Sequence, residues 1–179
     1  MNAEVAIRAW PILFAVLGLI QVSCKRESIP PPTVPENLKA PEGHVLLKAL
    51  GKGVQIYTCK APANDPNKFA WTFKAPEAEL KNKEGENIGK HYAGPTWEAS
   101  DGSKVVGALQ QQAASPDPGA IPWLLLKAKS NEGTGTFSKV TYIQRVDTAG
   151  GKAPSDGCDQ AHADAEARVD YTAYYYFYV

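Results

Sequence analysis

Residues 169–179 read VDYTAYYYFYV, and five of the last nine residues of the chain are tyrosines. Aromatic and β-branched side chains favour the pleated, half-buried environment of a strand. Side chains alternate along a strand. Tyr171, Ala173, Tyr175, Phe177 and Val179 therefore share one face. Thr172, Tyr174, Tyr176 and Tyr178 share the other. One face suits a core. The second aromatic face must pack on another layer, line a groove or meet a partner. The simpler reading is a central strand buried on both sides, and the alternative makes Tyr174 and Tyr176 candidate binding residues.

Upstream of that strand, short apolar runs alternate with turn residues. Val45–Leu50 is followed by Gly51-Lys52-Gly53, and Val54–Cys59 ends before a loop rich in Pro, Asn and Asp. Phe69–Ala75, Ser103–Gln110, Ile121–Lys129 and Phe137–Val146 are further strand-like runs, with Asp101-Gly102 as a hairpin turn. The spacing predicts an all-β domain, an antiparallel sandwich or small barrel with long loops and little helix. Two stretches have helical character. Pro76–Asn82 is too short to stand alone. Asp159–Arg168 lacks an apolar stripe and reads as a surface turn or short helix.

Length and composition agree with one exported domain. The 179 residues suit a single domain. The 19 basic and 19 acidic side chains balance, so no basic surface is offered to nucleic acid. Gly 15 and Pro 14 favour turns over long helices. Ala9–Ile20 is an uncharged apolar run of twelve residues, too short to span a bilayer and suited to a signal peptide. Ser23-Cys24 resembles a bacterial lipobox, in which the cysteine is lipidated and becomes the mature N-terminus. Ordinary cleavage near Ser23 or Cys24 is the alternative. Residues 1–23 are thus expected to be a signal peptide, residues 24–43 a Pro-rich tether, and residues 44–179 the β domain. The expected location is the cell envelope, as a periplasm-facing or outer-membrane lipoprotein, or else outside the cell as a secreted protein. Membrane contact would run through Cys24.

The three cysteines sort accordingly. With Cys24 carrying lipid, Cys59 and Cys158 remain, and an oxidising compartment favours a disulfide between them. No CxxC occurs, so no zinc ribbon or redox motif is signalled.

Candidate chemistry concentrates in residues 91–103, His-Tyr-Ala-Gly-Pro-Thr-Trp-Glu-Ala-Ser-Asp-Gly-Ser. His91 with Glu98 or Asp101 is a candidate acid–base pair for a hydrolase, because imidazole titrates near neutrality. The structural alternative is a turn in which Gly94-Pro95 bends the chain and Trp97 packs. Trp97 and Trp123 join the tyrosines as candidate binding residues. His44, His91 and His162 are far apart in sequence, and no metal site is expected. Arg145 lies in a strand-like run, where an inward arginine calls for a structural carboxylate partner, with an anion site as the alternative. No Rossmann or Walker A pattern is present, so no cofactor is expected.

These segments resemble an uncharacterised family of exported proteins, domain of unknown function 3455. The resemblance rests on His91–Trp97, Asp101-Gly102-Ser103, Ile121–Leu126, Tyr142–Arg145, Gly157-Cys158-Asp159 and the aromatic tail, with Gln55–Cys59 upstream. It spans roughly residues 38–179. It implies an exported domain and no established activity. Some members carry the label malate dehydrogenase, which this chain does not support, since it lacks a dinucleotide fingerprint. The functional expectation is a non-enzymatic envelope binding module for an unidentified ligand or protein. A hydrolase or a purely structural envelope protein is the alternative.

Overall fold

Strand β8 (Glu166–Tyr178) closes the sheet. It pairs antiparallel with β1 (Val45–Lys60) on one side and with β7 (Tyr142–Gly150) on the other. Between these run β2 (Ala70–Lys81), β3 (Asn87–Tyr92), β4 (Thr96–Ala99), β5 (Lys104–Ala113) and β6 (Trp123–Glu132). Each is antiparallel to the next, so eight strands form one closed up-and-down barrel. The all-β expectation holds, and of its two forms the barrel is the one adopted. An eight-stranded barrel has room for a filling of side chains or for one small ligand. The structure is a computed structural model that describes residues 28–179; the expected signal peptide and Cys24 lie outside the described residues.

The aromatic strand is buried on both faces. Inside the barrel, Tyr171, Ala173, Tyr175 and Phe177 pack with Leu80, Trp97, Val105 and Ile143. Outside it, Tyr176 and Tyr178 pack with Trp123, Leu125, Tyr142 and Val146. Residues 28–43 seal this outer patch. Ile29, Val34 and Ala40 pack against it, and Leu38, in a 3-10 turn at Glu36–Leu38, is fully buried within it. Gln144 Nε2 donates to Leu38 O at 2.5 Å and Gln144 Oε1 accepts from Tyr178 OH at 2.5 Å. The stretch read as a tether thus lies along the barrel wall from Ser28 onward. Its prolines keep it extended, while Ile29, Val34 and Leu38 give it apolar anchors.

Two further differences from the sequence reading, and one surface turn that it expects, have local causes. Gly51-Lys52-Gly53 does not turn; it continues β1, opposite Ala173, Thr172 and Tyr171. Gly51 is small because the Tyr175 ring lies over it: a Cβ there would sit 2.5 Å from Tyr175 Cε2. Pro76 does not start a helix but lies within β2, next to a register shift between Ile56 and Tyr57. Proline is tolerated at bulges and edges because no ladder bond is lost there. Asp159–Arg168 yields a 3-10 turn at Gln160–His162, capped by Asp159 Oδ1, before β8 begins.

One end of the barrel is plugged. Phe137, in the β6–β7 loop, packs against Phe177 with the ring centroids 4.5 Å apart and the planes tilted by 34°. Asp101 latches that loop to the β4–β5 turn. Its Oδ1 accepts from the N and Oγ of Ser103, and its Oδ2 accepts from the N and Oγ1 of Thr136. These hydrogen bonds, led by that from the Ser103 hydroxyl, hold its carboxyl well below the usual carboxylate range. Toward the other end, Cys59 of β1 is disulfide-bonded to Cys158, 99 positions away. Trp71 Nε1 donates to Asp156 O at 2.7 Å and ties β2 to the same loop.

Candidate functional site

The barrel wall is cut down on one side. β3 pairs only with Ala78–Lys81 of β2, so residues 70–77 rise above it without a neighbour on that side. β4 pairs only with Lys104–Val106 of β5, and β5 runs on beyond it along β6. The short β3–β4 hairpin, tipped by Ala93-Gly94-Pro95, sits in the resulting notch. Behind it lies a cavity of about 340 Å³. That size falls at the lower end of small-molecule pockets.

The lining is mostly apolar. Phe73 and Pro76 come from β2, Leu109 from β5, Leu124 and Leu126 from β6, and Tyr175 from β8. Phe73 and Leu109 leave 52% and 55% of their surface exposed at the mouth. His91 and Trp97 form one wall, stacked at 4.3 Å and nearly parallel. Both turn edges on Tyr175, at 5.1 Å and 5.5 Å. Gly107 makes room for the indole, since a Cβ there would lie 3.0 Å from Trp97 Cζ3.

The polar groups of the cavity are few. His91 Nδ1 lies 2.9 Å from Thr96 O. A carbonyl only accepts, so Nδ1 carries the hydrogen and Nε2 keeps its lone pair. Burial pushes the His91 pKa down to about 3, so the ring is neutral. Trp97 Nε1 has no hydrogen-bond partner among the described residues. Lys74 is at the rim, paired with Glu166. Arg145 faces inward: on β7, Ile143 packs in the inner cluster, while Tyr142 and Val146 pack outside. Its Nε and Nη2 donate to Pro122 O at 3.2 Å and 2.8 Å.

With residues 39–179 matching the family described as protein of unknown function, DUF3455, the relationship is settled. The chain belongs to that family. No curated protein and no solved structure matches it.

Of the candidate residues, this DUF3455 domain brings His91 and Trp97 together in the cavity. It does not bring His91 to a carboxylate of the proposed pair. Glu98 is on the outer wall, where it accepts from Tyr92 OH at 2.8 Å and lies near Lys90 and Lys104. The Tyr92 hydrogen bond is the main cause that lowers its pKa. Asp101 is committed to the latch at the plugged end. Trp123 and Tyr176 are buried on the outer wall, and Tyr174 packs beside them under Lys48. The Cys59–Cys158 bond is present as expected. Among the described residues no three His, Cys, Asp or Glu side chains converge as metal ligands.

Sequence reasoning missed Phe73, Leu109, Leu124 and Leu126 as lining residues. Their strands were visible, but the notch that exposes them depends on strand lengths and register. From the sequence, Arg145 is expected to meet a carboxylate, with an anion site as the alternative. The structure corrects this: Arg145 has no ion-pair partner among the described residues, and a main-chain carbonyl holds it instead.

Proposed function

We propose that the protein is an exported, lipid-anchored envelope binding module whose barrel cavity receives a small, largely apolar ligand. The carrying observation is the notch: a cavity of about 340 Å³ behind the β3–β4 hairpin, with apolar walls and with Phe73 and Leu109 exposed at its mouth. Exposed apolar side chains around a concavity are the usual mark of a binding site. Export is supported by the apolar run Ala9–Ile20 and by the disulfide. Lipidation at Cys24 would place the lipid within ~14 Å of Ser28, because four residues reach no further. Since the chain hugs the barrel from Ser28, the anchored domain would rest close to the membrane surface rather than stand away from it.

Two experiments test this reading. Titration with the neutral fluorophore N-phenylnaphthylamine should give saturable enhancement of its emission. Leu124→Trp, which fills the cavity, should abolish it. Binding that is absent, or that survives the filled variant, would overturn the cavity reading. Incorporation of labelled palmitate should be lost in Cys24→Ser; equal labelling of the variant would remove the anchor.

A further inference from the structure

We infer that the ligand of this cavity is an amphiphilic monoanion, an apolar body bearing a carboxylate that Arg145 receives. The inference rests on the cavity reading above and names the chemistry of its ligand. A guanidinium turned into a barrel carries a charge that cannot be shed, and leaving such a charge uncompensated in a partly dehydrated site is costly. The groups around Arg145 do not compensate it. His91 is neutral. Tyr57, Tyr171 and Tyr175 are raised by burial and keep their protons, and the Arg145 charge acts on all three. Lys74, the other cation of the lining, is matched by Glu166 on the outside.

The hydrogen bonding of Arg145 points the same way. A guanidinium carries five N–H donors in a rigid plane. Nε and Nη2 each give one to Pro122 O, and the Tyr175 hydroxyl, which keeps its proton, is the other hydrogen-bonding neighbour of the guanidinium and adds no charge. The Pro122 carbonyl fixes the plane without neutralising it. Trp97 Nε1 is a second donor among the cavity residues without a partner. Phe73, Leu109, Leu124 and Leu126 would cover the apolar body. A carboxylate on Arg145 forms a charge-assisted pair, stronger than neutral hydrogen bonds.

The test uses three probes that share a naphthalene body: naphthoate, naphthylmethanol and naphthylmethylammonium. They are titrated into the purified protein and into Arg145→Met and Arg145→Lys. The protein should bind naphthoate about ten- to a hundredfold more tightly than the alcohol, and the ammonium most weakly. Arg145→Met should bind acid and alcohol alike, and Arg145→Lys should keep part of the preference. Added salt should weaken naphthoate and leave the alcohol unchanged. If the alcohol binds as well as the acid, or if the preference survives in Arg145→Met, the anion is wrong and the apolar cavity stands. If none of the probes binds, both readings fall.

Discussion

The two ends of the barrel solve the same problem differently. At the plugged end, Phe137 lies on Phe177, and Asp101 draws the Ser103 turn and the Thr136 loop together. At the notched end, Phe73 and Leu109 face water across a cavity, and a guanidinium looks inward, held by a carbonyl and a neutral tyrosine hydroxyl and by no carboxylate among the described residues. Both ends are built on the same eight strands. The difference comes from strand length: a short β3–β4 hairpin leaves one rim low. The plugged end spends its side chains on stability, and the notched end leaves them unmatched. Unmatched groups held in place by a rigid scaffold are what binding sites are made of.

The largest contrast should appear between two phenylalanines. Phe177→Ala removes a fully buried ring and should cost roughly 3–5 kcal/mol in denaturant unfolding. Phe73→Ala, at the open mouth, should cost less than ~1 kcal/mol. Equal costs would erase the distinction between the ends. Next in size is the staple beyond the notch. Replacing Cys59 and Cys158 by alanine should lower stability by about 2–4 kcal/mol, because the bond closes a long loop. Amide exchange should then rise first in the neighbouring β2 residues 70–77, which lack a β3 partner.

His91 gives a smaller, pH-dependent effect. Its folded pKa of about 3 lies below the ordinary imidazole value of 6.5, so below 6.5 the unfolded chain binds the proton more readily. Its contribution is fully present above about pH 6.5 and is lost as pH falls toward 3, with a slope of roughly 1.4 kcal/mol per pH unit. The difference between the natural protein and His91→Phe across that window should show this slope. A flat difference would mean that the imidazole is not buried as a neutral ring. The smallest effect is expected at Arg145→Met. Removing an inward charge without an ion-pair partner should leave stability unchanged or raise it by up to ~1 kcal/mol. A loss above ~2 kcal/mol would show that Arg145 serves the fold.

The fold was largely legible in the sequence because burial writes itself as alternation. The period of two in Val169–Val179 marks both faces of β8, and Asp101-Gly102 marks the β4–β5 turn. Gly51-Lys52-Gly53 misled because an inward glycine under a tyrosine ring looks the same as a turn glycine. Residues 28–43 misled because prolines dominate the composition, while three well-spaced apolar residues decide where the segment lies. The site was less legible. Trp97 and His91 drew notice as unusual residues, yet Glu98 follows Trp97 on the same strand and so points to the other side of the wall. The role of Arg145 depends on an absent partner, which only the closed barrel reveals.

The most direct test of the contrast is a chemical-shift map of the isotope-labelled protein titrated with naphthoate. The expected result is a set of perturbations confined to the notch, at Phe73, His91, Leu109, Leu124 and the Arg145 side chain, with Phe137 and Phe177 unmoved. Perturbations gathered on the outer wall around Trp123 and Tyr174, or at the plugged end, would contradict it.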